Sequence, residues 1–262
     1  MHNALKHLFT FAFALVFMAG MAFAQTPGDN TATTTQVGDD HRSTITQTLG
    51  FASAEPHVAQ VIQRAGDNNF SDIQQGQAKG RAFVEQIGSD NVSRLSQAGF
   101  NRAEVTMNGD GNRLGRYENL SSPARQENGT GNGSIRQNFL SLDVVGNNNQ
   151  TGVFQDAGNR AEITVRTGNR NRINVSQDRE GLGVYTGPKN RAFVDVNGNR
   201  NNINIFQGGM MGGAGVGANL ADVDIVNGGS DNLVDIDQLS DGNTAEAFIN
   251  GLNNQSVIKQ QY

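Results

Sequence analysis

The chain has 262 residues, with 20 Lys and Arg against 25 Asp and Glu, no Cys and no Trp. The missing Cys removes disulfides, thiolate zinc sites and iron–sulfur clusters, and the acidic balance argues against nucleic acid as a partner. Asn, Gln and Gly together make 85 residues while only 36% of the chain is apolar, which is too little for a large isotropic core.

At the N-terminus, Met1–His7 carries Lys6 and no acid. Leu8–Met18 is apolar except for Thr10, and Ala22-Phe23-Ala24 supplies a small-residue site. This order predicts a secretory signal peptide over 1–24, with the mature, secreted chain starting at Gln25. The apolar run is shorter than the roughly 20 residues that span a bilayer. No second run of that kind follows, so no transmembrane segment is expected after cleavage.

From residue 30 onward an eleven-residue unit recurs, N-x-[small]-x-[aliphatic]-x-Q-x-G-x-x-N. Fixed-period self-similarity of this kind signals a stacked repeat architecture. The units anchor on Asn30, His41, Asn69, Gly80, Asn91, Asn101, Asn112, Asn138, Asn149, Asn159, Asn171, Asn190, Asn201, Asn219, Asn232, Asn243 and Asn254. Two positions after the anchor the residue is small or aliphatic, as in Ala82, Ser93 and Ile203. Four positions after it stands Val, Ile or Leu in all units but those with Thr34, Arg116 and Ala247. Six positions after it stands Gln36, Gln47, Gln75, Gln86, Gln97, Gln155, Gln177, Gln207, Gln238 or Gln260. Met107, Val165, Val196, Ile225 and Ile249 take that place in other units.

Positions 2, 4 and 6 share one face only in a β-strand. The following G-x-x-N is a turn signal, because Gly and Asn tolerate the left-handed region. A strand and a tight turn every 11 residues predict an all-β fold, a β-solenoid with two facing arcs and about 22 residues per coil. In-register stacking places Gln over Gln and Asn over Asn, so the amides bond along the axis as ladders. The register is lost near 49–56, 115–131, 178–189 and 208–218, which are read as loop insertions in a single solenoid over 25–262. Pro27, Pro56, Pro123 and Pro188 all fall outside clean strands, as a ladder that needs every N–H requires.

The repeats resemble those of curlin, the subunit of bacterial curli fibres. The resemblance is carried by Gln36-x-Gly38, by Gln86-x-Gly88-x-x-Asn91-x-Ser93-x-x-x-Gln97, by Gly198-x-x-Asn201 through Gln207, by Asn254 through Gln260, and by the chain end NNQSVIKQQY. It covers nearly all of the mature chain. It implies an amyloid-forming homopolymer at the cell surface of a Gram-negative bacterium. Adhesion and biofilm matrix are the implied role, with an outer-membrane export apparatus and a nucleator as partners. The motifs fit a main subunit, a nucleator or an accessory chain alike. A monomeric β-solenoid adhesin is the alternative.

No catalytic, cofactor or metal constellation emerges, and the chain is not expected to be an enzyme. His41 replaces Asn at an anchor, and His57, beside Pro56, is expected in an exposed loop. The pairs Asp222/Asp224 and Asp235/Asp237 point outward by alternation, a solvated face rather than a glycosidase pair. The stretch 227–237 brushes against a calcium-binding nonapeptide but occurs once, at the wrong period. Arg follows the anchor at Arg42, Arg81, Arg102, Arg113, Arg160, Arg172 and Arg191, with Glu85, Glu104, Glu162 and Asp195 nearby. Stacking predicts rows of paired charge along the outer faces.

Overall fold

Every repeat puts its aliphatic residues on one strand face, and that face cannot be buried by one coil alone. The fold solves this by stacking. The computed structural model describes residues 30–49, 56–77, 79–116, 119–127, 137–156, 158–177, 190–208, 218–240 and 242–261. The predicted signal peptide lies outside them, as do most of the predicted insertions.

Nine coils are seen, each contributing one strand to each of two parallel sheets. In chain order they are β1 (Thr31–Val37) with β2 (Arg42–Leu49), β3 (Val58–Arg64) with β4 (Phe70–Gln77), β5 (Gly80–Ile87) with β6 (Val92–Ala98), and β7 (Asn101–Asn108) with the split pair β8 (Arg113–Gly115) and β9 (Ala124–Glu127). Then follow β10 (Asn138–Val145) with β11 (Gln150–Asp156), β12 (Arg160–Thr167) with β13 (Arg172–Gln177), β14 (Arg191–Asn197) with β15 (Asn202–Gln207), β16 (Leu220–Val226) with β17 (Leu233–Gln238), and β18 (Thr244–Asn250) with β19 (Gln255–Gln260). The first sheet runs β1-β3-β5-β7-β10-β12-β14-β16-β18. The second runs β2-β4-β6-β8-β11-β13-β15-β17-β19, with β9 bridging β6 and β11 beside β8. The expected β-solenoid is therefore the observed fold.

Equivalent residues stack on one another. Ile163 pairs with Val194, Val194 with Val223, and Ile205 with Ile236. Uninterrupted coils have the expected length: Gln75 and Gln97 are 22 residues apart, as are Gln155 and Gln177. The core is a thin apolar seam between the sheets. Val61, Val84, Val105, Ile173, Val223 and Ile236 are among its fully buried members. Burying such a side chain stabilises by about 1.5–3 kcal/mol, and the seven coils between the first and the last each add two or more.

Two expectations need correction. The first concerns His57, which is not in an exposed loop but fully buried. It anchors an additional unit, with Ala59, Val61 and Gln63 at positions 2, 4 and 6. Thr31 N–H donates to His57 O just as Arg42 N–H donates to Asn69 O. The second concerns the unit anchored at Asn112. Its chain leaves the sheet after Gly115 and returns at Ala124, so Ala124 rather than Arg116 fills position 4, and Gln126 fills position 6.

The turns from the first sheet to the second explain the Gly and Asn content. The residue before the anchor is left-handed in every coil: Asp40, Asn68, Asp90, Gly111, Asn148, Arg170, Arg200, Asp231 and Asn253 have φ between 53° and 67°. Three residues before most of these anchors stands a glycine that is packed tightly on the next coil. At Gly146, φ is 126° and an added Cβ would overlap the Gly168 carbonyl. Gly146→Ala should therefore lower the urea midpoint sharply, whereas Gly76→Ala, with nothing within 4 Å of the new carbon, should leave it within about 0.5 kcal/mol of the parent.

Candidate functional site: amide ladders and two open ends

The inward sixth positions of the second sheet form an unbroken column, Gln47, Gln75, Gln97, Gln126, Gln155, Gln177, Gln207, Gln238 and Gln260. Each Nε2 donates to Oε1 of the glutamine one coil further on, through eight bonds of 2.8–2.9 Å. Its second hydrogen crosses the core to a backbone carbonyl of the first sheet, such as Arg81 O from Gln97, Phe139 O from Gln155 and Leu220 O from Gln238. A carbonyl only accepts, so these cross-core bonds fix which end of each amide is nitrogen. The ladder thereby has a direction. Gln126 was invisible to the eleven-residue spacing because residues 116–123 precede it within its unit.

The first sheet has a shorter column. Gln36 donates to Gln63 at 2.7 Å and Gln63 to Gln86 at 2.7 Å. Beyond Gln86 the position is apolar: Met107, Val144, Val165, Val196, Ile225 and Ile249 are all nearly or fully buried.

Anchor asparagines form further ladders with the opposite sense. In the second sheet, Oδ1 of Asn69, Asn91, Asn112, Asn149, Asn171, Asn201 and Asn232 accepts the backbone N–H of the next anchor, up to Asn254, at 2.8–3.1 Å. Their Nδ2 groups donate to turn glycine carbonyls of the next coil, as Asn149 does to Gly168 O at 2.8 Å. In the first sheet, Asn243 N–H donates to Asn219 Oδ1 at 3.0 Å and Asn219 N–H to Asn190 Oδ1 at 3.0 Å. A ladder at the turn tips went unread in the sequence. Asp39, Asp67, Ser89, Asp110, Asn147 and Asn169 each donate N–H to the side chain one coil on, ending on Asn199 and then Ser230. Its residues share only a polar side chain, so no single letter marks the column.

The two ends differ from the interior. Along β1 nearly every residue is exposed, and along β19 exposed and half-buried residues alternate. Among the described residues, no strand pairs with the outer edges of β1, β2, β18 or β19. Phe248, Leu252 and Val257, all of the last coil, are 69%, 63% and 48% exposed.

The outer faces carry charge in a more interleaved way than rows of like residues. Arg102 pairs with Glu104, Arg125 with Glu127 and Arg160 with Glu162 along single strands. Arg64 reaches Glu85 at 2.6 Å and Arg166 reaches Asp195 at 2.6 Å across coils. Aromatic rings separate the guanidinium groups. Phe70 lies between Arg42 and Arg94, at 5.7 and 5.1 Å, and Phe139 between Arg102 and Arg160, at 5.7 and 5.2 Å. Such pairs contribute about 0.5–1 kcal/mol each at exposed sites.

Asp222 and Asp224 do point outward, flanking the buried Val223. Partial burial raises the pKa of both. The neighbouring charges Glu246 and Asp195 add to this at Asp222, and Asp195 and Asp222 add to it at Asp224. Among the described residues, no group of three or more His, Asp or Glu is arranged to hold a metal ion. No family model, curated protein or solved structure matches the chain.

Two expected outcomes follow from this geometry. Gln155→Leu keeps the volume but strands the Gln126 Nε2 donor and the Gln177 Oε1 acceptor, costing about 1–3 kcal/mol for each buried group, read as a shift of the urea midpoint. The Asp222 carboxyl is more easily protonated in the fold than in the open chain, so it weakens the fold above its raised pKa and the penalty lifts as pH falls through it. Asp222→Asn should accordingly raise the melting temperature near neutral pH, and the gain should vanish in acid.

Proposed function

We propose that the chain is a secreted structural subunit that polymerises end to end into curli-like amyloid fibres, serving adhesion and matrix at the cell surface. The observation that carries this reading is the match between the two ends in the second sheet. The last coil presents Ser256, Ile258 and Gln260 inward, and the first presents Ser43, Ile45 and Gln47. A copy stacked beyond β19 would continue the same columns, serine on serine, isoleucine on isoleucine, glutamine on glutamine.

The hydrogen-bonding groups agree with that direction. Gln260 accepts from Gln238 and donates to Thr244 O, which leaves one Nε2 hydrogen to offer. Gln47 donates to Gln75 and Thr31 O, which leaves Oε1 to receive it. In every interior rung from Asn69 to Asn232, Oδ1 accepts the next anchor N–H. Asn254 Oδ1 is placed to accept the N–H of His41 in the next copy. Unpaired strand edges template further strands in general, and here the template carries its own register. The first sheet would set Ile249 against Gln36, a contact the chain already tolerates where Gln86 meets Met107.

The test is assembly of the purified chain. Thioflavin-binding fibres with a reflection near 4.7–4.8 Å are expected. A chain that stays monomeric at tens of micromolar over days, with a cooperative melt, would overturn the reading in favour of a monomeric surface adhesin. Gln260→Ala and Gln47→Ala each strand the partner amide at the joint. An energy of about 1–3 kcal/mol corresponds to roughly five- to hundredfold slower elongation, while Gln25→Ala should match the parent.

A further inference from the structure

The anchor columns are built from groups that do not titrate, with two exceptions. Asn30, His57 and Gly80 begin the column of the first sheet, and His41 begins that of the second. His41 and His57 are the only histidines beyond His7. Both belong to the first two coils, and both do the asparagine's work with a ring nitrogen.

The geometry is the same in each. His57 Nδ1 lies 2.9 Å from the backbone N of Gly80, the next anchor of its column. Its Nε2 lies 3.3 Å from Thr48 O at the end of β2. His41 Nδ1 lies 3.3 Å from the backbone N of Asn69, the next anchor of its own column, and its Nε2 lies 3.1 Å from Val37 O at the end of β1. A backbone N–H can only donate, so Nδ1 must carry a lone pair in both rings. Nε2 then carries the hydrogen and donates to the carbonyl. An asparagine Oδ1 offers its lone pairs at any pH. An imidazole loses this one on protonation, and two N–H groups are then left facing each other.

We infer that His57 forms an acid-released latch, which holds the second coil between the first and the third while its ring is neutral and loosens both joints when the ring is protonated. His41 ties coil one to coil two through Asn69. His57 ties coil two to coil three through Gly80 and reaches back to coil one through Thr48. Around His57 stand Asn30, Gly80 and the amide of Gln75, which all lie near that anchor. Burial lowers its pKa, with the Thr48 carbonyl acting the other way, and no charged side chain among the described residues contributes. A histidine whose folded pKa is depressed stabilises the fold fully above its unfolded value of about 6.5, and that contribution is lost as pH falls towards the lower folded value. The window for release therefore opens below about pH 6.5.

Under the proposed function, coil one is the surface that receives the next copy, so this consequence for growth rests on that reading. The latch itself does not. It is tested by residue-resolved hydrogen exchange on the folded chain, monomeric or assembled, from about pH 7.5 to about pH 5. After correction for intrinsic exchange, protection at the Gly80 amide should fall about tenfold or more with acid. Protection at Arg172, deep in the stack, should hold. In the variant His57→Asn the loss should disappear. Equal acid sensitivity in parent and variant would overturn the latch. If the variant does not fold, the parent decides alone: the imidazole titration of His57 and the loss of Gly80 protection must share a midpoint, and separate midpoints overturn it. A chain that forms no fibres yet shows the shared midpoint would sink the fibre reading and leave the latch standing.

Discussion

Parallel, in-register stacking is the constraint on which everything else in this molecule depends. Each side chain lies about 4.8 Å from its own counterpart one coil away. A buried position must therefore be filled by a residue that can rest on a copy of itself. Aliphatic side chains meet this by packing, as Ile205 does on Ile236. Primary amides meet it by hydrogen bonding, because each carries a donor and an acceptor and can pass the bond along. Buried carboxylates and guanidinium groups cannot, since like charges out of water repel. This is why a chain with so few apolar residues can fill a core, and why its polar buried residues are almost all Asn, Gln and Ser. On the wet faces the rule is relaxed but still felt: Phe139 separates Arg102 from Arg160 instead of a third arginine continuing the column.

The same constraint decides what could be read from the sequence. The strands were legible because their period of two and the period of eleven reinforce each other, so the positions of Val84, Leu95 or Ile236 follow from counting. Two pieces of the stack were not legible, for different reasons. His57 lacks the amide that marks an anchor, and its role comes from a ring nitrogen that occupies the same point in space as an Oδ1. Gln126 has the right side chain but the wrong spacing, because its strand re-enters the sheet after residues 116–123. The stacking of Arg42 and Arg94 on Phe70 was hidden as well, since it joins residues 28 and 24 positions distant in the chain through Phe70 and its coil neighbours. Rows of charge were foreseen, but the partners differ in detail. Glu85 is met by Arg64 and Asp195 by Arg166, neither of which follows an anchor.

The two sheets are not equivalent, and the difference has a direction along the axis. The second sheet keeps its glutamines through all nine coils, whereas the first gives them up after Gln86. Three coils at the N-terminal end thus hold two glutamine ladders, and the six beyond hold one glutamine ladder and an apolar column. Ladder bonds reward exact register, because a slip leaves donors unpaired in a place where each costs about 1–3 kcal/mol. Apolar columns reward burial and tolerate small offsets. The N-terminal coils are accordingly the part of the molecule in which register is specified most strictly, and they are also the part in which His57 sits.

Acid acts on the two ends in opposite senses. Protonating His57 removes an acceptor from the first coils. Protonating Asp222 and Asp224 relieves a cost in the coil of β16 and β17, where burial and neighbouring carboxylates hold their pKa values up. A group that stabilises when deprotonated and a group that stabilises when protonated contribute slopes of opposite sign to the pH dependence of folding. A melt of the whole chain sums those slopes and so does not show which end each belongs to. Because contacts in a solenoid reach only to adjacent coils, the two effects do not average through the structure. Each stays local to its own end, and the end that titration weakens is the one whose backbone edge is offered at β1 and β2.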